Sequence, residues 1–362
     1  MSVAAPGLYV HVPFCLTRCR YCAFASSTDL SRRGDYLAGL AREAARHAGR
    51  WDRTDSVYVG GGTPTVLGLD GLTSLVAALA PLAIAVDASW TIEANPDDCT
   101  PELLAGVRAL GFGRLSLGLQ SLDDGALRWM GRRHDAARAV TAARLARKAG
   151  FEDLSLDLIY GRPGQTPVAW CRELDAALAL GPTHLSCYEL TVEEGTPLAG
   201  DSDARPDDEA RADLFFAGSA HLRAAGFEHY EVSSFALPGH RSRHNLKYWT
   251  HAPYLGLGPG AHSLDGRARW WNPRSLAPWA KALAAGDDPA EARETLDSAG
   301  LRLERLVLGF RHTGGVALRD LVGQERAVTA AVEAGLLVRE GGRVVPTVAG
   351  LLQADGLAQR FA

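Results

Sequence analysis

Three cysteines, Cys15, Cys19 and Cys22, fall within the stretch PFCLTRCRYCAFAS (13–26), and they are half of the six in the chain. Thiolates at this density are soft ligands for iron or zinc. A cubane iron–sulfur cluster takes four ligands, so three protein thiolates leave one iron open to a small molecule. Structural zinc takes four protein ligands, and no fourth Cys or His lies at finger spacing. His11 is near in sequence but belongs to the preceding apolar run. Residue 24, two beyond the last cysteine, is Phe rather than Cys.

Further chain segments carry polar residues of the kind that line ligand sites. GGGTPT (60–65) contains Gly61, Gly62 and Thr63, and glycines there let backbone approach a ligand closely. It lacks the Lys of a phosphate loop. Glu93 stands in TIEANPD, Gln120 in LGLQS, Arg132 in MGRRH and Asp157 in LSLDLIYGRPGQ. HNLKYW runs from His244 to Trp249, with Asn245 and Tyr248 between. A histidine and an aromatic pair can contact a ligand, or can organise a loop and pack on the core. No Cys-x-x-Cys-His is present. Cys99, Cys171 and Cys187 read as small buried residues of helix or strand.

These residues need elements to hold them. LYVHV (8–12), SVYVGG (56–61), SWTIEAN (89–95), RLSLGLQS (114–121), LSLDLIYG (154–161) and HLSCYEL (184–190) read as strands, separated by Ala/Leu-rich amphipathic stretches that often end in Gly. Strands alternating with helices predict βαβ units and a parallel sheet. The fold class is therefore α/β, a partial or complete (β/α) TIM-like barrel, with Gly60 to Thr63, Glu93, Gln120 and Asp157 at strand C-terminal ends, where such folds place their chemistry. The barrel is expected over 1–235. Residues 236–290, rich in Gly, Pro and Trp, read as an irregular connection holding HNLKYW. Residues 291–362 read as a small winged-helix-like unit, with LLVREGGRVVPT as its hairpin.

At 47% hydrophobic and 22% charged residues the chain can bury a core. A formal charge of −4 leaves no basic footprint for nucleic acid, so none is expected despite the winged-helix-like unit. The sequence begins without a basic, signal-like leader and has no apolar run long enough to span a bilayer. It reads as cytoplasmic, where clustered cysteines more often bind metal than form disulfides.

Taken together in this order, the motifs resemble the radical S-adenosylmethionine (SAM) superfamily, over nearly the full chain. The resemblance implies a [4Fe–4S] cluster on Cys15, Cys19 and Cys22, with SAM on its open iron. It further implies SAM contacts from Tyr9, Tyr21, Gly61, Gly62, Thr63, Glu93, Gln120, Arg132 and Asp157, with Tyr21 near the adenine. The subgroup that it points to has two branches, oxygen-independent coproporphyrinogen III dehydrogenases (HemN) and haem chaperones (HemW). The dehydrogenases carry a fourth cysteine at the position of Phe24 and a longer N-terminal extension. CAFAS is similar to the chaperones' CDFNS, with Ala23 and Ala25 replacing polar residues, and HNLKYW is similar to their His-Asn-x-x-Tyr-Trp motif. The chaperone branch implies binding of haem, with His244, Asn245, Tyr248 and Trp249 as its contacts, and delivery to respiratory haemoproteins at the membrane surface. It allows peripheral membrane association and a cluster-mediated homodimer. The alternatives are the coproporphyrinogen dehydrogenase and a radical SAM enzyme for another substrate.

Overall fold

The computed structural model describes residues 5–201 and 206–361. Six strands run parallel in sequence order: β1 (Gly7–Val12), β2 (Thr54–Gly61), β3 (Ile84–Ala94), β4 (Arg114–Gln120), β5 (Asp153–Tyr160) and β6 (His184–Glu189). They match the six predicted segments. Six more short strands extend the sheet: β7 (Glu228–Glu231), β8 (Ser234–Ala236), β9 (Tyr254–Leu257), β10 (His262–Asp265), β11 (Ala268–Trp271) and β12 (Ala292–Thr295). The order β12-β11-β10-β9-β1-β2-β3-β4-β5-β6-β8-β7 leaves two ends, so the barrel is partial among the described residues.

Strand periodicity explains how the site is built. Leu8, Val10 and Val12 of β1, Val57 and Val59 of β2, and Leu115, Leu117 and Leu119 of β4 are buried beneath the helices. The alternate positions are polar: Tyr9 and His11, Ser56 and Tyr58, Thr91 and Glu93, Ser116, then Ser155 and Asp157. A parallel sheet covered by apolar packing on both faces would read as continuous hydrophobic runs. Alternation here means that the inner face is a polar wall. The helices that cover the outer face begin where the sequence caps them. Thr100 and Thr166 accept hydrogen bonds from Leu103 N and Ala169 N, each with Pro at the next position; Asp123 and Asp135 cap two others.

The 236–290 expectation needs correction. This segment forms helices Arg243–Trp249 and Leu276–Ala285 and strands β9 to β11, and β9 pairs in parallel with β1. Its strands are four residues long and broken by Gly and Pro, too short to show a period. One buried carboxylate ties them to the barrel. Glu43 accepts from Gly258 N (2.8 Å), Asn272 Nδ2 (2.6 Å) and Trp279 Nε1 (3.1 Å).

Burial pushes the Glu43 pKa from 4.5 up to about 7, against those three donors. A carboxyl raised on folding gives stability that is full below its unfolded value and lost as pH rises through its folded one. Glu43→Gln should therefore flatten the loss of stability between pH 4.5 and 8, read by urea unfolding of the two proteins side by side. Glu43→Ala strands three buried donors and should cost about 3 kcal/mol at pH 5. A variant with the same pH slope as the wild type would contradict this assignment.

From Ser298 the chain builds a separate small core. Helices Ser298–Gly309, Glu325–Glu333 and Ala354–Phe361 surround a three-stranded sheet, β13 (Val316–Ala317), β14 (Leu337–Glu340) and β15 (Arg343–Pro346), in the order β13-β15-β14. Leu306, Phe310, Val328, Leu337, Val344 and Phe361 pack together there. The predicted hairpin is β14–β15, turning on Gly341 and Gly342, both at positive φ.

Candidate metal centre and cofactor cavity

The three cysteines sit on one loop, Pro13 to Ser27, whose ends are stitched together. Cys15 N donates to Ser27 O (3.0 Å), and Ser27 N to Pro13 O (2.8 Å). His11 Nε2 donates to Ala25 O at 2.8 Å, while its Nδ1 accepts from Tyr9 OH at 3.0 Å. Both nitrogens of His11 are thus engaged in positioning the loop. The loop is also fastened to the far wall, by Arg20 N to Met130 O (3.0 Å) and Leu198 N to Arg20 O (3.1 Å).

The glycine-rich turn after β2 lies directly beneath the loop. Gly62 N donates to Val12 O (2.8 Å) and Thr63 N to Phe14 O (2.7 Å). A Cβ on Gly62 would stand 2.4 Å from the Phe14 carbonyl oxygen and 3.0 Å from Cys15 Sγ. This is a close approach of two backbones that only glycine permits.

A chain of hydrogen bonds joins two of the thiols through side chains that follow β2, β3 and the short helix Asp124–Trp129. Thr63 Oγ1 lies 3.6 Å from Cys15 Sγ and accepts from Asn95 Nδ2 at 2.9 Å. Asn95 Oδ1 in turn accepts from Arg132 Nη2 at 2.7 Å, and Arg132 Nη1 donates to Cys19 Sγ at 3.3 Å. Arg132 Nη2 also reaches Gly118 O at 2.8 Å. The Arg132 Nε is buried without a partner among the described residues.

Cys15, Cys19 and Cys22, none of them in a disulfide, line a cavity of about 560 Å³. Tyr21, Gly61, Gly62, Thr63, Glu93, Gln120, Arg132 and Asp157 share its wall, so every predicted cluster and SAM residue except Tyr9 meets there. Tyr9 faces the inside of the barrel at the strand's other end, against Tyr58 and His244, with ring centroids 6.2 Å and 6.4 Å away. Phe24 also borders the cavity and is 69% exposed. Gln120 has φ 65 and ends a register shift between β4 and β5, an irregularity of the kind found beside functional sites.

The site's charges are held by burial. Glu93 accepts from Tyr58 OH (2.7 Å) and Gly61 N (3.1 Å), and burial with Asp157 nearby raises its pKa from 4.5 to about 7. Asp157 is likewise pushed up by burial, although Ser116 Oγ donates to both its oxygens at 3.1 Å. Burial also raises the thiols of Cys15 and Cys22. Metal binding takes the proton from such thiols.

These residues fit an iron–sulfur cluster with a cationic ligand. No three metal-ligating side chains among the described residues close onto a single ion. A cubane takes each thiolate on a different iron, and the three cysteines line one cavity. The orphaned Arg132 Nε leaves a donor for an anionic group. Two buried carboxyls leave acceptors for a positive one.

Sequence reasoning missed Tyr58, Asn95 and Ser116. Each has the strand parity of a residue that it did find, since Tyr58 is two before Gly60, Asn95 two after Glu93 and Ser116 four before Gln120. Register alone would have flagged them.

HNLKYW forms its own helix, Arg243–Trp249, capped by Ser242 Oγ on Asn245 N, and it stands apart from the cysteine cavity. Its residues divide by helical spacing. His244 and Tyr248 turn inward. His244 is 2% exposed, with Nδ1 3.1 Å from Ser56 Oγ and Nε2 2.9 Å from Tyr248 OH. Burial lowers its pKa to about 3, so the ring is neutral. Asn245 and Trp249, each one residue on and about 100° around the helix, are half-buried as Tyr248 is; Trp249 lines a second cavity, next to the C-terminal unit. Cys187 is buried on β6 and Cys99 in the turn before a helix, whereas Cys171 is only half-buried.

Comparison with known proteins agrees with this geometry. Residues 9–175 match the Radical SAM superfamily. The chain is 41% identical over 366 residues to the heme chaperone HemW of Mycobacterium tuberculosis H37Rv, covering 98% of this chain and 94% of that one. It is 37% identical to HemW of Escherichia coli K12, over 72% of this chain and 71% of the relative. It is 35% identical to the mitochondrial radical S-adenosyl methionine domain-containing protein 1 of Bos taurus, over 92% and 83%. Among solved structures, coproporphyrinogen III oxidase (HemN) from E. coli superposes with a TM-score of 0.85 over 99% of this chain and 90% of that one, at 22% identity, a likeness of fold. The chain thus belongs to the radical SAM superfamily and, within it, to the HemW family.

Proposed function

We propose that this chain is a haem chaperone that binds haem and delivers it to respiratory haemoproteins, with a SAM-coordinated [4Fe–4S] cluster in the cysteine cavity. The observation that carries the reading is the 41% identity, across 98% of the chain, to a protein named as a heme chaperone. Phe24 supports it, because the dehydrogenase branch has a cysteine there.

Cys15, Cys19 and Cys22 would hold the cluster. Arg132 and the Thr63–Asn95 pair fix the thiol geometry around it, and Glu93 and Asp157 offer buried carboxyls to the positive charge of SAM. When bound, such a cluster supplies one-electron chemistry toward the SAM sulfonium. Phe24, exposed at the cavity's edge, presents an apolar face where a fourth thiol would be polar. In HNLKYW, the neutral His244 ring and Tyr248 hold the helix against the barrel. Asn245 and Trp249 are the members free to meet haem, and the motif's inner pair positions them. Recipient haemoproteins, peripheral membrane association and a homodimer belong to the same proposal. So does the cytoplasmic location; no helix among the described residues is long and apolar enough to cross a membrane.

The competing enzyme reading predicts a product. Cluster-reconstituted protein given SAM, a reductant and coproporphyrinogen III should release no carbon dioxide above the level of a protein-free control. Turnover by the wild type that is absent from a Cys19→Ala variant would make decarboxylation its function instead.

A further inference from the structure

Between the HNLKYW helix, helix Ser298–Gly309 and the turn before β13 lies a second cavity, of about 260 Å³. Its polar lining is mostly donors. Arg305, Arg319 and Arg343 bring three guanidiniums against a single carboxylate, Asp320, in a chain whose formal charge is −4. Arg343 is committed to the fold, donating through Nε to Gly314 O (2.5 Å) and through Nη2 to Gly315 O (2.7 Å). Arg305 is exposed and has no hydrogen-bond or ion-pair partner among the described residues.

His312 adds an independent sign. It is 6% exposed and lines the cavity. Its Nδ1 accepts from Gly314 N at 2.9 Å. A backbone amide only donates, so this nitrogen carries no proton, and the neutral ring has its N–H at Nε2. Burial, with Arg343 and Arg241 nearby, lowers the His312 pKa to about 4, which keeps the ring neutral. Nε2–H has no acceptor among the described residues. The ring is buried but this N–H meets the open space of the cavity, so an acceptor bound there would replace water on it.

We propose that this cleft binds a carboxylate group, held by His312 Nε2–H and the Arg305 guanidinium, with Trp249 as an apolar wall. The Trp249 ring favours an organic acid over an inorganic anion, and planar guanidinium and imidazole donors suit a planar carboxylate. The cavity is smaller than the usual ligand pocket, so it takes a small acid or one arm of a larger ligand. Two sources share this chemistry. One is a free short organic acid; the other is a propionate arm of haem held outside the cleft, and this second source rests on the chaperone reading.

The test is isothermal titration of the full-length protein with succinate, with inorganic phosphate and with haem, for the wild type, Arg305→Glu and Arg305→Lys. Arg305 has no partner to lose, so neither substitution should disturb folding. For a free acid, Arg305→Glu should weaken succinate binding roughly tenfold or more, with Arg305→Lys recovering only part of it. For a propionate, haem affinity should show that loss while succinate binds weakly throughout. Phosphate binding as tightly as succinate, or no dependence of either ligand on Arg305, overturns the assignment. Haem binding that ignores Arg305 would leave the chaperone reading standing without this site. Succinate binding that depends on Arg305 in a protein that binds no haem would leave the site standing without the chaperone.

Discussion

Gly62→Ala should give a protein that folds but takes up little iron. The new methyl would stand 2.4 Å from the Phe14 carbonyl oxygen and 3.0 Å from Cys15 Sγ. Neither neighbour can yield easily. Phe14 is main chain, fully buried, and its carbonyl already accepts from Thr63 N at 2.7 Å. The loop carrying Cys15 must therefore move away from β2. Overpacking of this kind costs about 1–3 kcal/mol of stability, but the larger effect falls on the ligand geometry. Iron and sulfide bound per chain after anaerobic reconstitution should drop well below the wild-type level, beside a modest shift in the unfolding midpoint. Gly34→Ala is the control. Nothing lies within 4 Å of its added Cβ, and it sits in the first turn of a helix. It should reconstitute normally and be slightly more stable. Equal iron content in both variants would remove the steric account of the GGGTPT turn.

Arg132→Met is the second substitution with a large expected effect. One guanidinium donates to Cys19 Sγ, Asn95 Oδ1 and Gly118 O, and through Asn95 and Thr63 it reaches the neighbourhood of Cys15. Methionine fills similar space but donates nothing. Outer-shell partners of a metal site typically contribute 10–100-fold to affinity, so the variant should lose its cluster to a chelator roughly that much more readily. Arg132→Lys should not restore it, because a single ammonium cannot replace a planar fork that reaches three acceptors in fixed directions. Chelator-challenge kinetics followed by visible absorbance would decide this. Rescue by lysine would mean that charge alone matters, and the hydrogen-bond chain would lose its significance.

Much of this site was legible from the sequence for a physical reason. In a parallel α/β sheet, the outer face must be apolar to receive helices, so a polar residue at an inward position needs a reason to be there. Glu93, Gln120 and Asp157 stood out at strand ends, and the strand bounds fell within two residues of the observed ones except at the start of β3, which lies five residues earlier, at Ile84. Gly111, Gly150 and Gly181, each at positive φ, follow helix ends as the Gly-ended stretches predicted.

What the sequence did not reveal depends on distant contacts. Tyr9 has the right strand and parity, but it sits at the level of Tyr58 and His244 rather than of the cysteines. Depth along the barrel is set by how strands are staggered, which one segment cannot report. Strands β9 to β11 were hidden because they are short and are stabilised by pairing and by Glu43, whose three donors lie more than 200 residues away. The two faces of HNLKYW follow from helical spacing. Reading those residues as a helix required knowing that Ser242 caps it.

The measurement that tests the central claim most directly is an anaerobic haem titration of the cluster-reconstituted protein, followed by absorbance, with Trp249→Ala and His244→Ala beside the wild type. The account predicts saturation near about one haem per chain, as expected of a discrete site. Trp249→Ala should weaken it by loss of a contact, and His244→Ala by release of the helix that carries Trp249. Absence of saturable haem binding by the wild type would contradict the account.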